Sequence, residues 1–144
     1  MDGISISVVS LSLKPVNEPA RALTGKERQI LAFLLSVDTP GIEELRGQVD
    51  HALAVPWDCG CASIDLVVDR AAAPPSSISV SAAIESRSKR KDDPRRLLDL
   101  RLWVDDGYLA GVEIVDHAEP HGKLSRVFPS PSEFDPPLVR GESS

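Results

Sequence analysis

Apolar and polar residues change period along this chain, and the change divides it into a helical and a sheet-forming part. Residues 4–13 alternate loosely, with Ile4, Ile6 and Val8 against Ser5 and Ser7, as a short strand does. Pro15 and Pro19 end that pattern. Thr24-Gly25-Lys26-Glu27 then has the form of a capping box, in which hydroxyl and carboxylate each satisfy a backbone N–H. Ile30, Leu31, Leu34 and Leu35 follow at helical spacing, widened by Phe33 and Val37, and predict a helix over about 25–36. Thr39-Pro40 reads as a second start: a threonine cap, then proline at the first helical position. Ile42, Leu45 and Val49 share one face of that second helix, which ends near Asp50.

Beyond His51 the period becomes two. Leu53, Val55 and Trp57 alternate, then Ala62, Ile64, Leu66 and Val68, then Ile78, Val80, Ala82 and Ile84. Each set predicts a strand with one wet face. Residues 97–116 form the clearest hairpin, turning at Asp105-Asp106-Gly107. A one-residue slip would send every side chain to the other face. Apolar matching therefore favours a three-residue loop, with Val104 opposite Tyr108, Leu102 opposite Ala110, Leu100 opposite Val112 and Leu98 opposite Ile114. Together these elements predict an α+β domain: two N-terminal helices packed on a four- or five-stranded antiparallel sheet. The expected limits are residues 1–20 as an extension or short strand, 21–134 as the domain, and 135–144, rich in Pro, as a flexible tail.

Composition narrows the function classes. At 144 residues the chain can bury enough surface to fold without metals or disulfides. A net charge of -6 disfavours generic binding to nucleic acid or anionic membranes. The lack of a long apolar run, of a basic leader and of more than two cysteines together point to the cytoplasm. Walker A, G-x-S-x-G, H-E-x-x-H and G-x-G-x-x-G patterns are all missing.

Three local features have chemistry to offer. Cys59-Gly60-Cys61 could close a small disulfide or supply two thiolates to a soft metal, with His117 and His121 completing a Cys2His2 zinc set. Pro120 between the histidines and the single residue between the cysteines both count against zinc. The plainer alternative is a tight turn in which small cysteines pack as weak hydrophobes. The segment 85–96 gathers Arg87, Lys89, Arg90, Lys91, Arg95 and Arg96 without aromatics to stack bases, and reads as a solvated connection between strands. Glu43, Glu44 and Asp50, with Asp38 and Asp58, surround the second helix. They suit either its dipole or a basic protein partner. Trp103 falls on the hairpin face opposite Leu100 and Leu102, where it could anchor a contact.

The stretches LTGKERQILAFLLSVDTPGIEELRGQV, CGCASIDLVVD and LWVDDGYLAGVEI resemble a group of small bacterial proteins, mostly actinobacterial, without an established activity. The resemblance covers about residues 21–134 and implies a bacterial, cytoplasmic, single-domain protein. It transfers no functional residue. The function expected is thus a non-catalytic interaction protein, of immunity or accessory type, with an acidic surface. A metal- or thiol-dependent protein using the Cys-Gly-Cys turn and an enzyme of unrecognised class are the alternatives.

Overall fold

The structure, a computed structural model, describes residues 19–57, 61–78, 84–89, 98–116 and 128–139. It is an α+β arrangement in which two helices cover one face of an antiparallel sheet. β1 (Arg21–Ala22) leads into α1 (Gly25–Leu34) and α2 (Ile42–Gln48), and a 3-10 turn (Val49–His51) delivers the chain to the sheet. β2 (Ala52–Pro56), β3 (Ile64–Val68), β4 (Ile84–Arg87), β5 (Leu98–Asp105), β6 (Tyr108–Asp116) and β7 (Leu138–Val139) follow. The order across the sheet is β1-β2-β3-β6-β5-β4-β7. Among the described residues the sheet thus has seven strands, more than the four or five expected, and β1 precedes the helices. The surplus comes from two-residue edge strands, too short to show a period. β7 lies in the segment expected to be a tail: Leu138 pairs with Glu85 and Val139 with Ile84. The expected strands at 4–13 and around Val80 lie outside the described residues.

α1 starts as its sequence predicts. Thr24 Oγ1 accepts from the Glu27 N–H at 3.1 Å, and Glu27 Oε1 accepts from the Thr24 N–H at 2.9 Å. Ile30, Leu31, Leu34 and Leu45 are fully buried against the sheet. Each large aliphatic side chain removed from water is worth about 1.5–3 kcal/mol. The opposing sheet face supplies Ile64, Leu66, Ile84, Leu100, Leu102, Val104, Val112 and Ile114.

α2 departs from expectation at its start. It begins at Ile42, not at Pro40, and its N-cap is Gly41 with φ of +92° and no side-chain cap. The reason is tertiary. Ser76 Oγ donates to the Gly41 carbonyl at 2.6 Å, and a Cβ on Gly41 would stand 2.7 Å from both Ser76 Oγ and Ser77 Oγ. The 76–78 loop holds this turn in a left-handed conformation that glycine tolerates.

β2 turns its other face to the core. Ala52 and Ala54 are buried, whereas Leu53, expected inward, is 44% exposed. Ala52 sits opposite Val68 and Ala54 opposite Leu66. Residues directly opposite in a ladder share a face, so burial of the larger β3 set dictates the orientation of β2.

The β5–β6 hairpin departs from the expected register. Asp105 lies opposite Tyr108 and Val104 opposite Leu109, which makes Asp106-Gly107 a two-residue turn, with φ of 58° and 85°. A bulge next to Trp103 then makes Ala110 the extra residue, and Leu102 meets Val112, Leu100 meets Ile114 and Leu98 meets Asp116. Beyond the bulge, the expected three-residue loop misplaces each partner by two positions. A two-residue slip keeps every side chain on its face, so apolar matching cannot detect it.

Gln48, fully buried at the end of α2, ties the layers together. Its Nε2 donates to the carbonyls of Pro74 at 3.0 Å and Gly107 at 2.9 Å, and its Oε1 accepts from the Leu109 N–H at 2.8 Å. The Ser76 N–H also donates to the Gly107 carbonyl, at 2.7 Å. One amide side chain thus joins α2, the β3–β4 connection and the tip of the hairpin.

Candidate functional site

Two surfaces collect the side chains with chemistry to offer. The first is a shallow recess of about 270 Å³ where the start of α1 meets the start of β3. Arg21, Thr24, Lys26 and Glu27 form one wall, and Pro56, Cys61, Ala62, Ile64 and Phe128 form the other. The capping box brings Glu27 back toward Arg21, whose guanidinium binds both carboxylate oxygens at 2.9 and 2.8 Å. Burial pushes the Glu27 carboxyl up. The hydrogen bonds from Arg21 and from the Thr24 N–H, with the Arg21 charge, outweigh that and hold it below the ordinary glutamate value. Glu27 is therefore a structural carboxylate, unsuited to accept a proton near neutrality. Lys26 is exposed at the rim and has no ion pair among the described residues.

Cys61 is half-buried and disulfide-bonded. Next to it Ser63, almost wholly buried, accepts from the Ile114 N–H at 3.0 Å through its hydroxyl, while its carbonyl accepts from the Trp57 N–H at 3.2 Å. These bonds fix the start of β3 and with it the place of Cys61. Cys59, His117 and His121 lie outside the described residues, as does Asp58. Among the described residues no three His, Cys, Asp or Glu side chains gather as metal ligands would. A sulfur committed to a disulfide has no thiolate for zinc.

The second surface is the acidic side of α2. Glu43 and Glu44 are exposed in its first turn, and Asp50 is exposed in the 3-10 turn that follows. Two of these carboxylates already hold cations. Glu43 pairs with Arg46 at 2.8 Å and Asp50 with Arg28 at 3.1 Å. Arg46 also donates to the carbonyls of Leu35 at 2.8 Å and Val37 at 3.4 Å, closing the end of α1. Asp38 and Glu44 remain exposed with no ion pair among the described residues.

The sheet's second face carries Trp103. It is half-buried, and its Nε1 donates to Glu113 Oε1 at 3.0 Å, so its polar edge is engaged within the sheet. Beside it Glu85, Arg101 and Glu113 face one another across β4, β5 and β6. Arg87 grips Asp99 at 2.9 and 3.3 Å. The segment expected as a basic connection therefore starts as strand, and Arg87 belongs to the sheet.

The recess was not legible in the sequence. Arg21 and Glu27 stand six residues apart, and Cys61 and Phe128 arrive from distant parts of the chain. Only the capping box hinted that Glu27 would bend back. Among the described residues no helix is long and apolar enough to cross a membrane. No family model matches the sequence, and no curated protein or solved structure is significantly similar to it.

Proposed function

We propose that this chain is a non-catalytic interaction protein, of immunity or accessory type, acting in the cytoplasm through the acidic side of α2 on a basic partner. The observation that supports this most is the pair Asp38 and Glu44, exposed and without an ion pair among the described residues, beside Glu43. Carboxylates not neutralised by the described residues keep their field for an incoming cation, and complementary charge speeds association. The net charge of -6 adds to that field.

Buried polar side chains point the same way. Gln48, Glu27 and Ser63 are satisfied within the fold, which leaves their groups to packing and capping rather than to a substrate.

The test is capture of a basic partner on immobilised full-length protein at low salt, repeated with Asp38→Lys/Glu44→Lys. Capture should be lost in the double variant, fall with rising salt, and survive Glu133→Lys in a second 3-10 turn, Pro131–Glu133, outside the acidic side of α2. Unchanged binding by the double variant would refute the assignment of this surface.

A further inference from the structure

We propose that the outer edge of β4 is a groove for an extended acidic peptide with an aromatic anchor, and that the chain's own residues 133–139 fill it as a displaceable strap. What lies there now defines the groove. The Lys89 N–H donates to the Glu133 carbonyl and the Asp135 N–H to the Arg87 carbonyl, each at 2.9 Å, on either side of the bridge that pairs Ser88 with Phe134. The buried hydroxyl of Ser86 donates to the Asp135 carbonyl. Phe134 is the anchor. It is 3% exposed, and its ring centre lies 6.5 Å from that of Phe33 on α1, within the range of favourable aromatic pairing. Main-chain bonds along an edge, with one side chain in a pocket, are how a sheet takes an added strand.

The strap is built to come away. Pro136 and Pro137 have no N–H to give, and they interrupt the ladder between Phe134 and the two pairs of β7. β7 adds little apolar grip: Leu138 is 67% exposed and Val139 40%, two of the three exposed large hydrophobic residues among those described. β4 pairs with β5 along its other side, from Ile84 to Arg87, and that ladder does not involve the strap. Displacement would therefore leave the sheet in place with β4 as a bare edge, and a bare edge recruits another strand.

Charge selects the occupant. The edge carries two exposed cations, Arg87, which holds Asp99, and Lys89, which has no ion pair among the described residues. The strap sets Glu133 opposite Lys89 and Asp135 opposite Arg87. A partner segment with carboxylates on both sides of a phenylalanine reproduces the anchor and both charges. The edge offers backbone and one ring pocket, which a linear segment fills. The groove shares no residue with the acidic side of α2, so charge reversal there leaves peptide binding unchanged.

The probe is a fluorescent peptide with the sequence of residues 130–140, and the protein is the full chain. In Phe134→Ala the strap loses its anchor, so the edge is vacant in a larger fraction of molecules and apparent affinity rises in proportion. Binding read by fluorescence anisotropy should tighten about tenfold or more over the parent protein. It should be lost when the peptide itself carries Phe134→Ala, and weaken severalfold when Lys89→Glu is added to the protein. Hydrogen exchange of the unaltered chain answers the question even where that variant fails to fold. The amides of Lys89 and Asp135 should exchange together, about a hundredfold faster than those of the β5–β6 ladder, through local opening of the strap. Equal protection of the two sets makes the strap a fixed strand and overturns the proposal. So does peptide affinity indifferent to Phe134→Ala in the folded variant. A Phe134→Ala dimer that grows with concentration and resists the peptide overturns it too, since the edge then belongs to a second copy.

Discussion

Replacing Gln48 by methionine keeps nearly the same volume and deletes only the polar end of the side chain. The Leu109 N–H then loses its acceptor, and the carbonyls of Pro74 and Gly107 each lose a donor. The three losses differ in weight. A buried N–H left unpaired costs about 1–3 kcal/mol. The Gly107 carbonyl keeps the Ser76 N–H at 2.7 Å, and Pro74 is exposed enough for water to replace the amide. A net loss of about 3 kcal/mol follows, most of it from Leu109. At this chain length that lowers Tm by roughly 10 °C. Urea denaturation should show the midpoint falling at constant slope, since the surface exposed on unfolding does not change. Hydrogen exchange should show the amide of Leu109 losing protection first. A variant within about 0.5 kcal/mol of the parent would refute the role given to Gln48 as the link between α2 and the hairpin tip.

Gly107→Ala places a Cβ 2.7 Å from the Ser76 carbonyl at φ of +85°, and should cost about 2 kcal/mol or more; denaturation of the double variant with Gln48→Met should give less than the sum, because Gln48 Nε2 donates to the carbonyl of the same Gly107. Glu27 has a folded-state pKa below its unfolded one, so the stability it adds is present above the ordinary glutamate value and lost as pH falls through the folded value. Glu27→Gln should therefore cost about 1 kcal/mol near neutrality and nothing once the carboxyl is protonated in both states, as read from melting curves across that range. Leu31→Ala empties a fully buried site under α1 and should cost about 2–5 kcal/mol in the same denaturation assay. Leu53→Lys should change stability by less than about 1 kcal/mol, since nearly half of that residue is in water and the lysine stem can cover the same surface.

Sequence by itself determined the α+β class, the start of α1 and much of the core. Thr24 and Glu27 cap one another through bonds three residues apart, and Ile30, Leu31 and Leu34 share a face through helical period alone. Such information is local, so a single sequence holds it. The acidic residues Glu43, Glu44 and Asp50 were visible in the same way, because charge is a property of composition. What only the tertiary structure decided is every choice between alternatives that are locally equal. Apolar alternation permits hairpin registers two residues apart, and the bulge at Ala110 selects one. The inward face of β2 depends on its partner β3, not on Leu53 and Val55. Gly41 could become the cap of α2 only because the loop at Ser76 arrives from 35 residues away. The recess beside Cys61 is of the same kind: its walls come from β1, α1, β2, β3 and Phe128. Long-range packing closes loops whose entropy cost says nothing about which segments will meet, and that is why these features cannot be read from periodicity.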